Sequence, residues 1–217
     1  MAAPVLPEEG YRRLREEILA GRFQPNEHLV EAALGEAFAM PRAVVRMALL
    51  RLEQEGLVER QRYRGARVRL VAEEEAIEIL EARTALEAVS ARRAATGITD
   101  AGRRELGAIV AGLQRASAEG NLLEMSELNS ALHAKIVEIS RSRPLAQLLS
   151  TLSSQVVRFR HRTILLPGRS AASLVEHQAI VTAIEAGDAA GAEAAMRDHL
   201  SQVQEAVRRL ARLPGGK

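Results

Sequence analysis

The chain has no cysteine and no tryptophan, and only two tyrosines and three phenylalanines among its 217 residues. Without cysteine there is neither a disulfide framework nor a thiolate metal site. So few aromatic rings exclude single-strand nucleic-acid binding by a row of stacking side chains. Lysine is nearly missing as well, with Lys135 and Lys217 alone, so arginine carries the positive charge. No apolar run approaches the roughly 18 residues that cross a bilayer. The opening MAAPVLPEEG also lacks the basic segment and apolar run of a secretory signal. These absences predict a cytoplasmic protein with no membrane partner. The length leaves room for one small and one medium domain, each able to bury a core.

What is present is concentrated between Leu29 and Leu70. Val45, Ala48, Leu49 and Leu52 recur at helical spacing and predict a helix with a core-facing stripe. A shorter helix precedes it, with Ala32, Ala33, Ala37 and Phe38 as its expected apolar face, and Pro41 restarts the chain after the turn at Ala39 and Met40. After Gly56, LVERQRYRGARVRL predicts two short strands around Arg64 and Gly65. Two helices and a basic hairpin in this order predict a winged helix-turn-helix. The net charge of the whole chain is only +2, yet residues 41–70 hold eight arginines against three glutamates, a local +5. Positive charge therefore sits where double-stranded DNA would lie. Arg42, Val45 and Arg46 are the expected contacts from the second helix. Arg64 and Gly65 are the expected wing contacts in the minor groove.

From residue 72 onward the pattern is helical throughout. Helices are expected over 73–95, 100–118, 122–139, 144–165, 171–186 and 189–211, and short connections make them an antiparallel bundle of about six helices. Gly97 with Thr99, Gly120 with Asn121 and Gly187 with Asp188 each pair a helix stop with an N-cap. The predicted architecture is thus mostly α, with a DNA-reading domain over 1–71 and a helical domain over 72–217. Asn129 and His133 lie one turn apart on the inward face of one helix, and His177 and His199 fall on the inward faces of two others. A lone core histidine is usually structural. Three together with an inward amide form a set suited to a divalent metal, with room for an exchangeable ligand. His28 and His161 lack this placement and are expected at the surface.

These residues resemble the GntR-type bacterial transcription regulators, and within them the subfamily with an all-helical FCD effector domain. GRFQPNEHLVEAALGEAF and PRAVVRMALLRLEQEGLVERQRYRGARV are similar to the family's amino-terminal domain, and EILEARTALEAVSARRAA to the first effector-domain helix. Asn129, His133, His177 and His199 fall where the subfamily has a metal-binding Asp or Asn and three histidines, including the 22-residue step between the last two. Arg83 matches an arginine that tends to face the effector cavity, although an ion pair with Glu87 is equally open to it. The departures are Pro41 for a usual Ser, Ala43 for a common Thr, and Asn26 for a turn Gly.

The resemblance implies a homodimeric repressor that binds an inverted-repeat operator with a GT and AC half-site core. It further implies a divalent metal, zinc first with nickel or manganese as alternatives, and a small carboxylate effector that alters DNA affinity. Two other functions compete with this expectation. One is a metal-dependent hydrolase using Glu176 or Glu138 as general base. The other is a dimeric DNA-binding protein with no effector, whose histidines only pack.

Overall fold

The computed structural model describes residues 6–61 and 65–212, with the side chains of Gln61, Arg160 and His161 left out. The chain divides into two compact units, Met1–Ala72 and Glu73–Lys217. The first contains α1 (Pro7–Leu19), β1 (His28–Leu29), α2 (Glu31–Ala37), α3 (Arg42–Gln54), β2 (Val58–Gln61) and β3 (Gly65–Val68). Its three strands form an antiparallel sheet in the order β1-β3-β2, with Val58 opposite Val68 and Leu29 opposite Ala66.

The stripe expected on α3 is the core of this unit: Val45, Ala48, Leu49 and Leu52 are buried, together with Leu14, Ile18, Leu34, Leu57 and Val68. The expected elements begin at Leu29, so α1 is an addition. Pro7 and the acids Glu8 and Glu9 suit its first turn, and Tyr11, Leu14 and Ile18 give it a buried face at helical spacing. Helix α1 lies so close to α3 that a Cβ on Gly10 would collide with Val44 Cγ1. Helix α2 corrects the expected face, because Ala32, Ala33 and Ala37 are exposed and Leu34 is the residue buried. Seven residues make only two turns, and one large side chain fills the contact better than three alanines.

The turn between α2 and α3 is a Schellman motif. Met40 N–H bonds to Gly35 O at 2.9 Å and Ala39 N–H to Glu36 O at 3.3 Å, while Met40 is buried. Ala39 takes the left-handed conformation, φ 51°, that glycine usually supplies here. Asn26 likewise sits at φ 64°, which explains how it stands in for a turn glycine.

The second unit is helical: α4 (Glu73–Gly97), α5 (Asp100–Ala118), α6 (Leu122–Ile139), α7 (Arg143–Gln155), α8 (Val157–Thr163), α9 (Arg169–Glu185) and α10 (Ala189–Ala211). The three expected caps form, with Thr99, Asn121 and Asp188 each accepting a hydrogen bond from a backbone N–H three residues on. The most extensive helix pair is α4 with α10. Five of the seven alanines of α4, Ala76, Ala88, Ala91, Ala94 and Ala95, are buried and permit close approach. The single helix expected over 144–165 is broken at Val156, so that seven helices are described where six were expected. Both Val156 and Phe159 are buried, and the break turns both into the wall of the central cavity. No described helix is long and apolar enough to cross a membrane.

Candidate nucleic-acid face and candidate metal centre

On α3 the polar face opposite the core stripe carries Arg42, Ala43, Arg46 and Met47, all exposed. Arg46 has one partner, Glu31 at 3.3 Å, in an exposed pair of the kind that contributes little and yields readily to a phosphate or base. Val45 must be removed from the DNA-contact set: it has 0% exposure and lies in the core, since one position cannot serve both the buried stripe and the outer face. Met47, 56% exposed and one turn on from Ala43, takes its place on that face. The i, i+4 step from Ala43 could have indicated it.

The other arginines of the basic stretch are not equivalent. Arg51 is held by Glu8 and lies 3.7 Å over the Tyr11 ring, while Arg67 pairs with Glu59 directly across the hairpin at 2.5 Å. Tyr11 in turn hydrogen-bonds Glu55. Burial and that carboxylate push its hydroxyl up to about 12. Gly65 is exposed at φ 80°, where a side chain would be strained. Arg64 lies outside the described residues. His28 is exposed as expected, and the side chain of His161 is among those left out.

In the helical unit, α6, α9 and α10 bring His133, His177 and His199 together. Their ring centroids are 4.5 to 5.5 Å apart, and one nitrogen from each lies within 4.8 Å of the others. His177 and His199 are 1% and 2% exposed. Burial, followed by the neighbouring imidazoles, holds both well below the ordinary histidine range, so each is a neutral ligand at pH 7. Asn129 Oδ1 and both ring nitrogens of His177 are buried without a hydrogen-bond partner. Such orphans are costly unless something pairs with them, and three clustered imidazoles with an amide oxygen lining the same cavity are a donor set that fits a divalent cation.

Two carboxylates stand behind the histidines, and the sequence did not mark either as a support. His133 Nδ1 donates to Glu87 at 2.5 Å and His199 Nδ1 donates to Glu176 at 2.7 Å, which leaves Nε2 of each ring as the nitrogen free to ligate. Each carboxylate is in turn held by an arginine. Arg83 reaches Glu87 through Nη2 at 2.6 Å and Nε at 2.8 Å, and Arg169 grips Glu176 with both Nη atoms at 3.1 and 2.9 Å. Burial alone would raise Glu87, but Arg83 and His133 outweigh it and hold the carboxyl well below the usual range. Arg83 therefore makes the ion pair and also lines the cavity. Neither proposed general base is poised for hydrolysis: Glu176 is engaged by Arg169 and His199, and Glu138 is exposed and bonded to Lys135.

The three histidines and Asn129 open onto a cavity of about 60 Å³, walled by aliphatic side chains and by Arg83, Arg169, Ser170 and Ser173. A second cavity of about 440 Å³ adjoins it, and Arg83, Asn129 and His133 line both.

Residues 7–68 match the model of bacterial regulatory proteins of the gntR family, and residues 78–202 match that of the FCD domain. The chain belongs to the gntR family. It is a GntR-type transcription regulator with an FCD domain rather than an enzyme, and FCD domains typically hold a metal. It is 30% identical over 200 residues to the HTH-type transcriptional repressor GlaR of Escherichia coli (strain K12), covering 88% of this chain and 91% of that protein. It is 28% identical over 208 residues to the HTH-type transcriptional regulator LutR of Bacillus subtilis (strain 168), covering 86% and 94%. Among solved structures, E. coli McbR/YncC has the same fold, with a TM-score of 0.81 at 20% identity over 97% of this chain and 100% of that one.

Proposed function

We propose that this GntR regulator is a homodimeric repressor that reads an inverted-repeat operator and senses a small carboxylate through a metal held by Asn129, His133, His177 and His199. A single winged unit presents too little surface for operator-level selectivity, so two copies on two half-sites supply it. Arg42 and Arg46 are the base-edge or near-base contacts, and Arg64 with Gly65 seats the wing in the minor groove. The observation that carries the effector reading is the group of buried, unpartnered donor atoms on Asn129 and His177 beside two bare imidazole nitrogens, in a cavity also lined by arginine.

Zinc suits three imidazoles and an amide oxygen, with nickel or manganese as alternatives. When bound, the ion supplies a positive centre for an oxygen anion. Glu87 and Glu176 orient the rings that hold it, and Arg83 offers the anion further N–H donors. The coupling expected between effector and operator is about 5- to 150-fold in affinity.

The test is operator titration with full-length, metal-loaded protein. Selection of binding sites from random duplexes should return an inverted repeat bound by two chains, and a carboxylate should shift its affinity. Monomeric binding to an asymmetric site, or an affinity that no carboxylate shifts, counts against this function.

A further inference from the structure

The wall of the metal cavity is asymmetric in charge. Arg83 and Arg169 line it, and no carboxylate of the described residues does. Glu87 faces the second cavity, and Glu176 faces a surface hollow on the far side of Arg169. Each guanidinium commits two of its five N–H donors to its glutamate, and the remaining donors have no partner among the described residues. The two arginines are on different helices, α4 and α9, and both line the cavity that the histidines line.

The charge of the site follows by counting. Arg83 balances Glu87 and Arg169 balances Glu176. Imidazoles that bind a cation through a lone pair are neutral, as is the Asn129 amide. A bound divalent ion therefore keeps its whole charge of about +2, and the anion-facing surface is guanidinium and metal. A monoanion neutralises half of that charge. A dianion neutralises all of it in a low-dielectric pocket, where the residual charge is costly. The cavity of about 60 Å³ holds roughly four to six waters, so the part of the ligand seated between the histidines and the two guanidinium groups is short.

We infer that the effector is a short dianion, a small dicarboxylate or a phosphoryl compound, and that Arg169 is a second specificity-determining contact beside Arg83. This rests on the metal-dependent reading above and deepens it. One acid group meets the metal side of the cavity, and the other meets the guanidinium donors left free by the glutamates.

The test pairs acids of matched length. Metal-loaded full-length protein is titrated calorimetrically with propionate, malonate and inorganic phosphate at pH 8, with metal content measured after each titration. Malonate or phosphate should bind at least about tenfold more tightly than propionate. The better of the two identifies whether the second group is a carboxylate or a phosphoryl group. Asn129→Asp keeps the shape of the side chain, removes one unit of net positive charge and should hold metal at least as well. In that variant the preference for the dianion should fall to a few-fold. In Arg169→Lys, which keeps the charge but loses the planar fork, malonate should weaken more than propionate.

Equal binding of propionate and malonate by fully metal-loaded protein, or no binding of any of the three, overturns the dianion inference alone. So does an unchanged preference in Asn129→Asp with its metal in place. Protein that takes up no divalent metal overturns this inference and the function it rests on.

Discussion

The two units of this regulator place their proposed contact groups in opposite environments. In the first, Arg42 and Arg46 stand on the exposed face of α3, charged and held at most by one weak surface pair. In the second, His177 and His199 are buried and neutral, and Asn129 Oδ1 has no partner. The difference follows from the partners. A polyanion as large as DNA must be met at a surface, where accumulated positive charge supplies affinity and an on-rate. A single ion must be met in a dry site, where neutral lone pairs are not lost to water. Charge marks one site and orphaned polarity marks the other.

The contrast breaks most severely if the buried donors lose their ion. At free metal about a thousandfold above the dissociation constant, binding stabilises the helical unit by about 4 kcal/mol. Chelation should therefore lower the melting temperature of the parent protein by several degrees and leave that of His177→Ala nearly unchanged. A differential scanning fluorimetry series with and without chelator reads this directly.

On the exposed face the expected effect is smaller and confined to DNA. Arg46→Ala should cost about 1 to 3 kcal/mol on the cognate operator, Arg42→Ala a similar amount, and neither should change thermal stability by more than a few tenths. Val45→Ala should do the reverse, lowering stability through a cavity in the core. Fluorescence anisotropy with a labelled operator, paired with melts, separates these outcomes.

The pH responses of the two units should also diverge. In the metal-free protein His177 is depressed below the ordinary value of 6.5 by burial and then by His199 and His133, and His199 by burial and then by His133 and Arg169. Their contribution to stability is full above about 6.5 and is lost as pH falls from there toward their folded values. Tyr11 is raised from 10.0 to about 12 by burial and Glu55. Its contribution is full below 10.0 and is lost as pH rises through about 12. Metal-free melts from pH 8 down to 5 should lose stability toward the acid end, and in melts from pH 9 to 12 Tyr11→Phe should flatten the alkaline limb.

The smallest effect sharpens the first unit alone. Ala39→Gly relieves the left-handed strain in the turn between α2 and α3 and should stabilise by about 1 kcal/mol in urea titrations. Operator affinity should remain unchanged.

Much of this was legible before the fold, for reasons that differ between the sites. The outer face of α3 follows from periodicity, because residues off a buried stripe must point outward. Val45 belongs to that stripe, so the same geometry takes it off the contact face. The quartet of Asn129, His133, His177 and His199 was legible from inward placement at helical spacing and from the resemblance to FCD domains. Its supports were not. Glu87 and Glu176 meet histidines 46 and 23 residues away. Arg169 enters the cavity because α9 begins there. Such tertiary pairings leave no local signal. In the sequence Glu176 reads as a candidate general base, and the structure makes it a support for His199. The break at Val156 was hidden for a related reason, since Val156 and Phe159 carry helical periodicity across it and are turned aside to wall the cavity.

Metal content per chain, measured by plasma mass spectrometry on full-length protein purified without chelator, tests the central claim most directly. One divalent ion per chain in the parent, and much less in His177→Ala of unchanged helical content, is the predicted result. A parent that takes up no stoichiometric ion even after incubation with zinc, nickel and manganese would contradict the account and leave the three histidines as packing.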